Sequence, residues 1–202
     1  MKSGDCLRWR PGYVRIMNDA PSRQAPAATH EAFWPEDLFR QGIGWVLIAR
    51  FKSAGRRVLA GVFLVDVFCL GVKMASYEKC DAQDYAQRIR DHYRSRFLMV
   101  PADPGCARQL VEQAVQYAQA LGFAAHPDYK KATRVFEGLP AKQPPQPFAF
   151  GRNGKPFYCR GPRETEGHAR RILWQLEKRC GPGNYDYLVA LGDSRDTGRA
   201  FD

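Results

Sequence analysis

The sequence predicts an α+β protein: a small, mostly antiparallel sheet made of hairpins and packed by three or four helices. Three observations predict it. Two runs rich in β-branched and aromatic residues, GWVLIARFK (44–52) and RVLAGVFLVDVFCLGVK (57–73), are separated only by SAGR, so they read as one hairpin. Two later stretches switch to helical periodicity, DAQDYAQRIRDHYRSRF (81–97) and DPGCARQLVEQAVQYAQALGF (103–123). Two short aromatic pieces flank Asn153-Gly154, the favoured dipeptide of a tight hairpin turn.

Residues 1–30, with RPGY and the Pro/Ala-rich APSRQAPAATH, show no sustained period and read as an extended or disordered arm. EAFWPEDLF (31–39) predicts a short helical turn that docks Phe33, Trp34, Leu38 and Phe39, with Pro35 at its start. The 57–73 run is longer than a typical strand, so Gly61 is expected to mark a bulge or bend. Alternation puts Val62, Leu64, Asp66 and Phe68 on one face, and Phe63, Val65, Val67 and Cys69 on the other.

In the first helix Asp81 is placed to cap the start, and Tyr85, Ile89, Tyr93 and Phe97 recur every fourth residue. In the second, Pro104 sits early and Leu110, Val111, Ala114, Val115, Ala118 and Leu121 form a core stripe that ends at Gly122. HPDYKKATRVFEG predicts a turn and a shorter helix over about 128–137, and LPAKQPPQP (139–147) an extended Pro-rich connector. RETEGHARRILWQLEKRCG predicts a helix packed through Ile172, Leu173, Trp174 and Leu176 and closed by Gly181. YDYLVAL predicts a last short strand before a polar tail at 193–202, which bounds a single domain over 31–192.

No run approaches the roughly 18 apolar residues of a membrane span, and the first residues lack the apolar stretch of a secretory signal, so a cytoplasmic protein with no membrane partner is expected. The six cysteines show no CxxC pair and read as reduced thiols. Lys and Arg number 31 against 21 acidic residues, a net charge of +10. That excess favours a polyanion, and the leading expectation is a nucleic-acid-associated protein. Its candidate phosphate contacts are Arg88, Arg90, Arg94 and Arg96 on the first helix, Lys130 and Lys131 on the short one, and Arg152 and Lys155 around the second turn.

Asp66 is the polar residue that asks for an explanation, because it sits within the most apolar stretch of the chain. One reading makes it a ligand for a divalent cation in a metal-dependent phosphoester hydrolase, with Lys73, His126 and Asp128 as further catalytic candidates. The other reading, which burial cost favours, pairs it with Lys73, an arginine or free backbone amides at a bulge. His126 beside Asp128 has the same two readings, as a general base or as a loop residue near a helix end. The residues show no cofactor of their own, and spacing leaves the metal ligands unknown. A third reading is a subunit of a larger assembly, whose first 30 residues order on a protein partner. Protein-kinase chemistry is excluded, since no GxGxxG with its lysine, no HRD and no DFG is present.

LVDVFCLGVK (64–73), YAQALGFAAHPD (117–128) and FGRNGKPFY (150–158) together resemble a bacterial protein family that shares LVDxxCLGVK, YAxxLGFxxHxD and FGxxGKPFY blocks in this order. Some members of that family carry an added SEC-C metal-binding motif, and no such cysteine cluster stands among these 202 residues. The resemblance implies that Asp66, Cys69, Lys73, His126, Asp128 and the 154–158 run belong to one architecture. The family pattern continues with an acidic residue after the lysine, where this chain has Met74.

Overall fold

Five antiparallel strands in the order β4-β3-β2-β1-β5 form the centre of the protein. The computed structural model describes residues 29–188, so the expected arm up to Ala28 and the polar tail lie outside the described residues. The strands are β1 (His30–Pro35), β2 (Ile43–Lys52), β3 (Arg57–Asp66), β4 (Gly71–Asp81) and β5 (Met99–Ala102). This is the predicted α+β class, and the 44–73 hairpin is its spine: Lys52 pairs with Arg57 at one end and Ile43 with Asp66 at the other.

Both faces of the sheet are covered. Ala32, Val46, Ile48, Phe63 and Val65 point to the face packed by helix α4 (Pro104–Ala120). Phe33, Leu47, Ala49, Ala60 and Val62 point to the face packed by Tyr85 and Ile89. Double coverage explains the near-continuous apolar runs of β2 and β3.

It also explains the first correction. His30–Pro35 is a strand lying between β2 and β5, and the helical turn α1 (Leu38–Gln41) starts only afterwards. A strand buried on both faces carries adjacent apolar residues, here Ala32 and Phe33 at 2% and 5% exposure, and so mimics a docking helix in sequence.

Gly61 is the second correction. It lies inside unbroken β3, and a Cβ there would come within 2.9 Å of Val135 Cγ2 and 3.2 Å of the Ala132 carbonyl. The glycine admits the segment made of α5 (Tyr129–Ala132) and a 3-10 turn (Thr133–Phe136), which lies on the sheet. The long run is broken instead at 67–70, where the chain reverses into β4, and the pairing register shifts between Leu64 and Val65. Strand β4 beyond Lys73 has no sequence signature because it is an edge strand with polar residues on its open positions.

The predicted first helix runs from Ala82 to Phe97 as α2 (Ala82–Asp84), a π-helical turn (Tyr85–Arg90) and α3 (Asp91–Phe97), with Asp81 accepting the Asp84 N–H as its cap. Residues spaced by four drift about 40° per step around an α-helix. The wider π turn takes up that drift. Tyr85 and Ile89 are buried, and Tyr93 and Phe97 pack beside Trp45.

Helix α6 (Glu166–Cys180) closes the sheet end, burying Ala169, Ile172 and Leu176 against Cys69, Leu70, Leu121 and Tyr158. Trp174, expected to pack, is 63% exposed on its outer side. Asn153-Gly154 does make the tight turn, with both residues at positive φ and Arg152 and Lys155 exchanging backbone hydrogen bonds. No hairpin continues from it, because β6 (Phe157–Cys159) pairs in parallel with β7 (Asp186–Leu188). No helix among the described residues is long and apolar enough to cross a membrane.

Candidate functional site

The reversal between β3 and β4 is the point on which the C-terminal half converges. The Asp66 carboxylate accepts the backbone N–H groups of Phe68 (3.0 Å) and Cys69 (2.9 Å) through Oδ1, which shapes the 67–70 turn. The turn's carbonyls are then satisfied from afar: Val67 by the Gly151 amide, and Phe68 by the Phe157 amide and the Tyr117 hydroxyl. The His126 amide donates to the Val72 carbonyl. The 64–73, 117–128 and 150–158 blocks therefore meet at one corner. Gly71, at φ 64°, has no room for a side chain, since a Cβ would lie 2.6 Å from the Ala114 carbonyl of α4.

Asp66 is 7% exposed, and burial raises its pKa against the opposing pull of the amides and of Lys73. One of its oxygens is held by two amides in a closed corner. Among the described residues no group of three or more His, Cys, Asp or Glu side chains is arranged to hold a metal ion. Cys69 beside it is fully buried, and burial pushes its thiol well above the usual range, so it is a packing group.

Lys73, the last residue of the first block, turns away to a different partner. Its Nζ lies 2.6 Å from Oε1 of Glu164, whose Oε2 accepts the Tyr158 hydroxyl (2.7 Å) and the Gly161 amide (3.2 Å). Burial alone would raise the pKa of Glu164; the hydrogen bonds and the Lys73 charge reverse this and hold it below the ordinary value. Lys73, Glu164, His126 and His168 line a cavity of about 360 Å³ with an apolar floor that includes Leu70, Val72 and Ile172. Of the four predicted catalytic residues, the structure brings Lys73 and His126 to this cavity, leaves Asp66 out of its lining, and places the Asp128 carboxylate 3.9 Å from His126 Nδ1. Glu164 and His168 were missed because neither belongs to a recognisable motif.

The predicted phosphate contacts do not form one surface. Helix α2–α3 covers one face of the sheet and α5 the other. Most of these cations are engaged locally: Arg88 faces Asp84, Arg90 binds Asp91, and Arg94 and Arg96 lie over the rings of Phe33 and Phe97. Arg152 lies over Phe157, and Lys155 donates to the Gly183 carbonyl. Lys130 and Lys131 stand on α5, which packs over β4.

A different basic site appears at the turn end of the β2–β3 hairpin. Lys52, Arg56, Arg57 and Lys79 surround a concavity of about 790 Å³ with Tyr77 in its wall and Asp81 at its edge. Lys52 and Arg57 are direct cross-strand partners, a like-charge pairing that costs stability. All four are exposed, and none makes an ion pair within 4.0 Å among the described residues. The signal was present in the sequence as the KSAGRR turn, where the hairpin reading hid its charge.

Among known proteins, no family model, no curated protein and no solved structure matches the chain.

Proposed function

We propose that the protein binds nucleic acid by its phosphate backbone, in the concavity at the turn end of the β2–β3 hairpin. The observation that supports this reading is the Lys52–Arg57 cross-strand pair, two exposed cations held side by side, neither in an ion pair within 4.0 Å among the described residues, with Asp81 of β4 on the far side of Arg57. A fold that maintains such repulsion gains stability when a polyanion neutralises it. Arg56 and Lys79 extend the site, Tyr77 offers a ring surface beside Lys79, and Lys130 and Lys131 continue the positive charge over β4.

The test is binding of short fluorescent single- and double-stranded DNA and RNA across a salt series. Affinity should fall steeply as salt rises. Replacing Lys52 and Arg57 together by Gln should weaken binding and flatten the salt slope by roughly 0.9 for each phosphate that is no longer neutralised. Absence of binding at low salt, or an unchanged slope in that variant, removes the proposal.

A further inference from the structure

We propose that the cavity beside Lys73 binds a small organic anion, a carboxylate or phosphate carried on a compact apolar or aromatic body. This site is separate from the phosphate-backbone groove, at the opposite end of the β3–β4 pair.

Unused hydrogen-bonding capacity in the cavity sets the charge of the ligand. Glu164 is the carboxylate of the cavity, and both of its oxygens are already occupied, one by Lys73 and the other by Tyr158 and Gly161. Lys73 uses one of three ammonium protons on Glu164. His126 accepts the Asp128 amide at Nδ1 (3.2 Å), which leaves its Nε2 carrying the proton of the neutral ring. The His168 ring makes no hydrogen bond to another described residue, while its amide is taken up by the Thr165 cap of α6. What the side chains of the cavity have left to give is therefore mostly donors: two ammonium protons of Lys73, the Nε2–H of His126 and one N–H of His168, against a single acceptor, the other His168 nitrogen. A ligand that completes them must present acceptors, and an anionic group does so best beside Lys73.

Size and lining define the rest of the ligand. The cavity, about 360 Å³, is in the range of small-molecule sites. Val72, Phe123 and Ile172 offer apolar surface. Past His168 the cavity adjoins a shallower hollow of about 310 Å³ that shares Phe123, His168 and Ile172 and adds Arg171 and the exposed Trp174. A second cation and the exposed indole of Trp174, which has the Lys178 ammonium over one face, suit an aromatic or short aliphatic body whose charged end lies among Lys73, His126 and His168.

The experiment titrates the full chain with benzoate, phenyl phosphate and the neutral isostere benzamide, reading the imidazole NMR signals of His126 and His168. One or both anions should move both sets of signals saturably, and their relative affinities distinguish a carboxylate site from a phosphate site. Benzamide should bind at least about tenfold more weakly. His168→Gln, on an exposed position, should weaken the preferred anion about tenfold, whereas Arg56→Gln with Arg57→Gln should leave it unchanged. Equal affinity for benzamide, no saturable shift with either anion, or loss of binding in the Arg56/Arg57 variant would each overturn the proposal. None of these outcomes depends on whether the protein binds nucleic acid.

Discussion

Lys73 Nζ and Glu164 Oε1 stand 2.6 Å apart across 91 residues of sequence, with both side chains less than one fifth exposed. The pair fastens the start of β4 to the loop ahead of α6. A double-mutant cycle of Lys73→Met and Glu164→Gln should show a coupling of about 1–3 kcal/mol, each single variant being less stable than additivity from the double variant allows. Urea denaturation of the four proteins measures it, and a coupling near zero would mean that the apolar contacts of α6 carry the docking alone.

Acid should expose the same pair. Glu164 is held below its ordinary 4.5, so the folded state binds its proton less readily than the unfolded chain does. Its contribution is complete above that value and is lost as pH falls through the lower, folded one. Asp66 acts oppositely, because its folded value is raised above 3.8, and its ionisation costs stability as pH rises through that window. Stability against pH measured in Glu164→Gln should lack the acid-side loss, and in Asp66→Asn the opposing slope should vanish.

Two substitutions at Asp66 separate its roles. Asp66→Asn keeps an oxygen for the Phe68 and Cys69 amides while removing a buried charge, and should fold with stability close to the parent. Asp66→Ala strands both amides and should cost about 1–3 kcal/mol for each. Thermal melts of the purified variants decide this, and a severe loss in Asp66→Asn would show that the charge itself is needed.

Charge at the hairpin end should matter more for nucleic-acid binding than charge on helix α2–α3. Replacing Arg88 and Arg96 by Gln should leave the salt slope within error of the parent, whereas replacing Arg56 and Arg57 should reduce it. The reverse ranking in an anisotropy titration would transfer the site to the helix.

Gly71→Ala should be among the most damaging small changes in the protein. It combines a positive φ with a Cβ 2.6 Å from the Ala114 carbonyl, and should cost more than about 2 kcal/mol. A melt close to that of the parent would mean that α4 shifts to make room.

The hairpin, the amphipathic helices and the cap at Asp81 were legible because each is local: a period, a turn or a residue three positions ahead of an amide. Strand β1 was not, since its burial on both faces erased the alternation that marks a strand. Edge strand β4 was hidden for the opposite reason, with too little burial to leave a pattern. The structural alternative for Asp66 could be reached from burial cost alone, but its partners are amides whose position depends on the reversal at 67–70. Glu164 and His168 reach Lys73 only through the packing of α6, which no spacing along the chain encodes.

The reversal at 67–70 also bears on the order in which the chain emerges during synthesis. The β2–β3–β4 meander is complete once Asp81 has been made, yet the amides of Gly151 and Phe157 that satisfy the Val67 and Phe68 carbonyls come about seventy residues later. Until then the Val67 carbonyl must stay solvated and the Phe68 carbonyl has only the Tyr117 hydroxyl of α4 to accept, so the corner stays wet while the rest of the meander pairs. A nascent chain halted in the Pro-rich connector would hold a formed hairpin around an unfinished corner, and arrival of the last third of the protein is what dries and locks it.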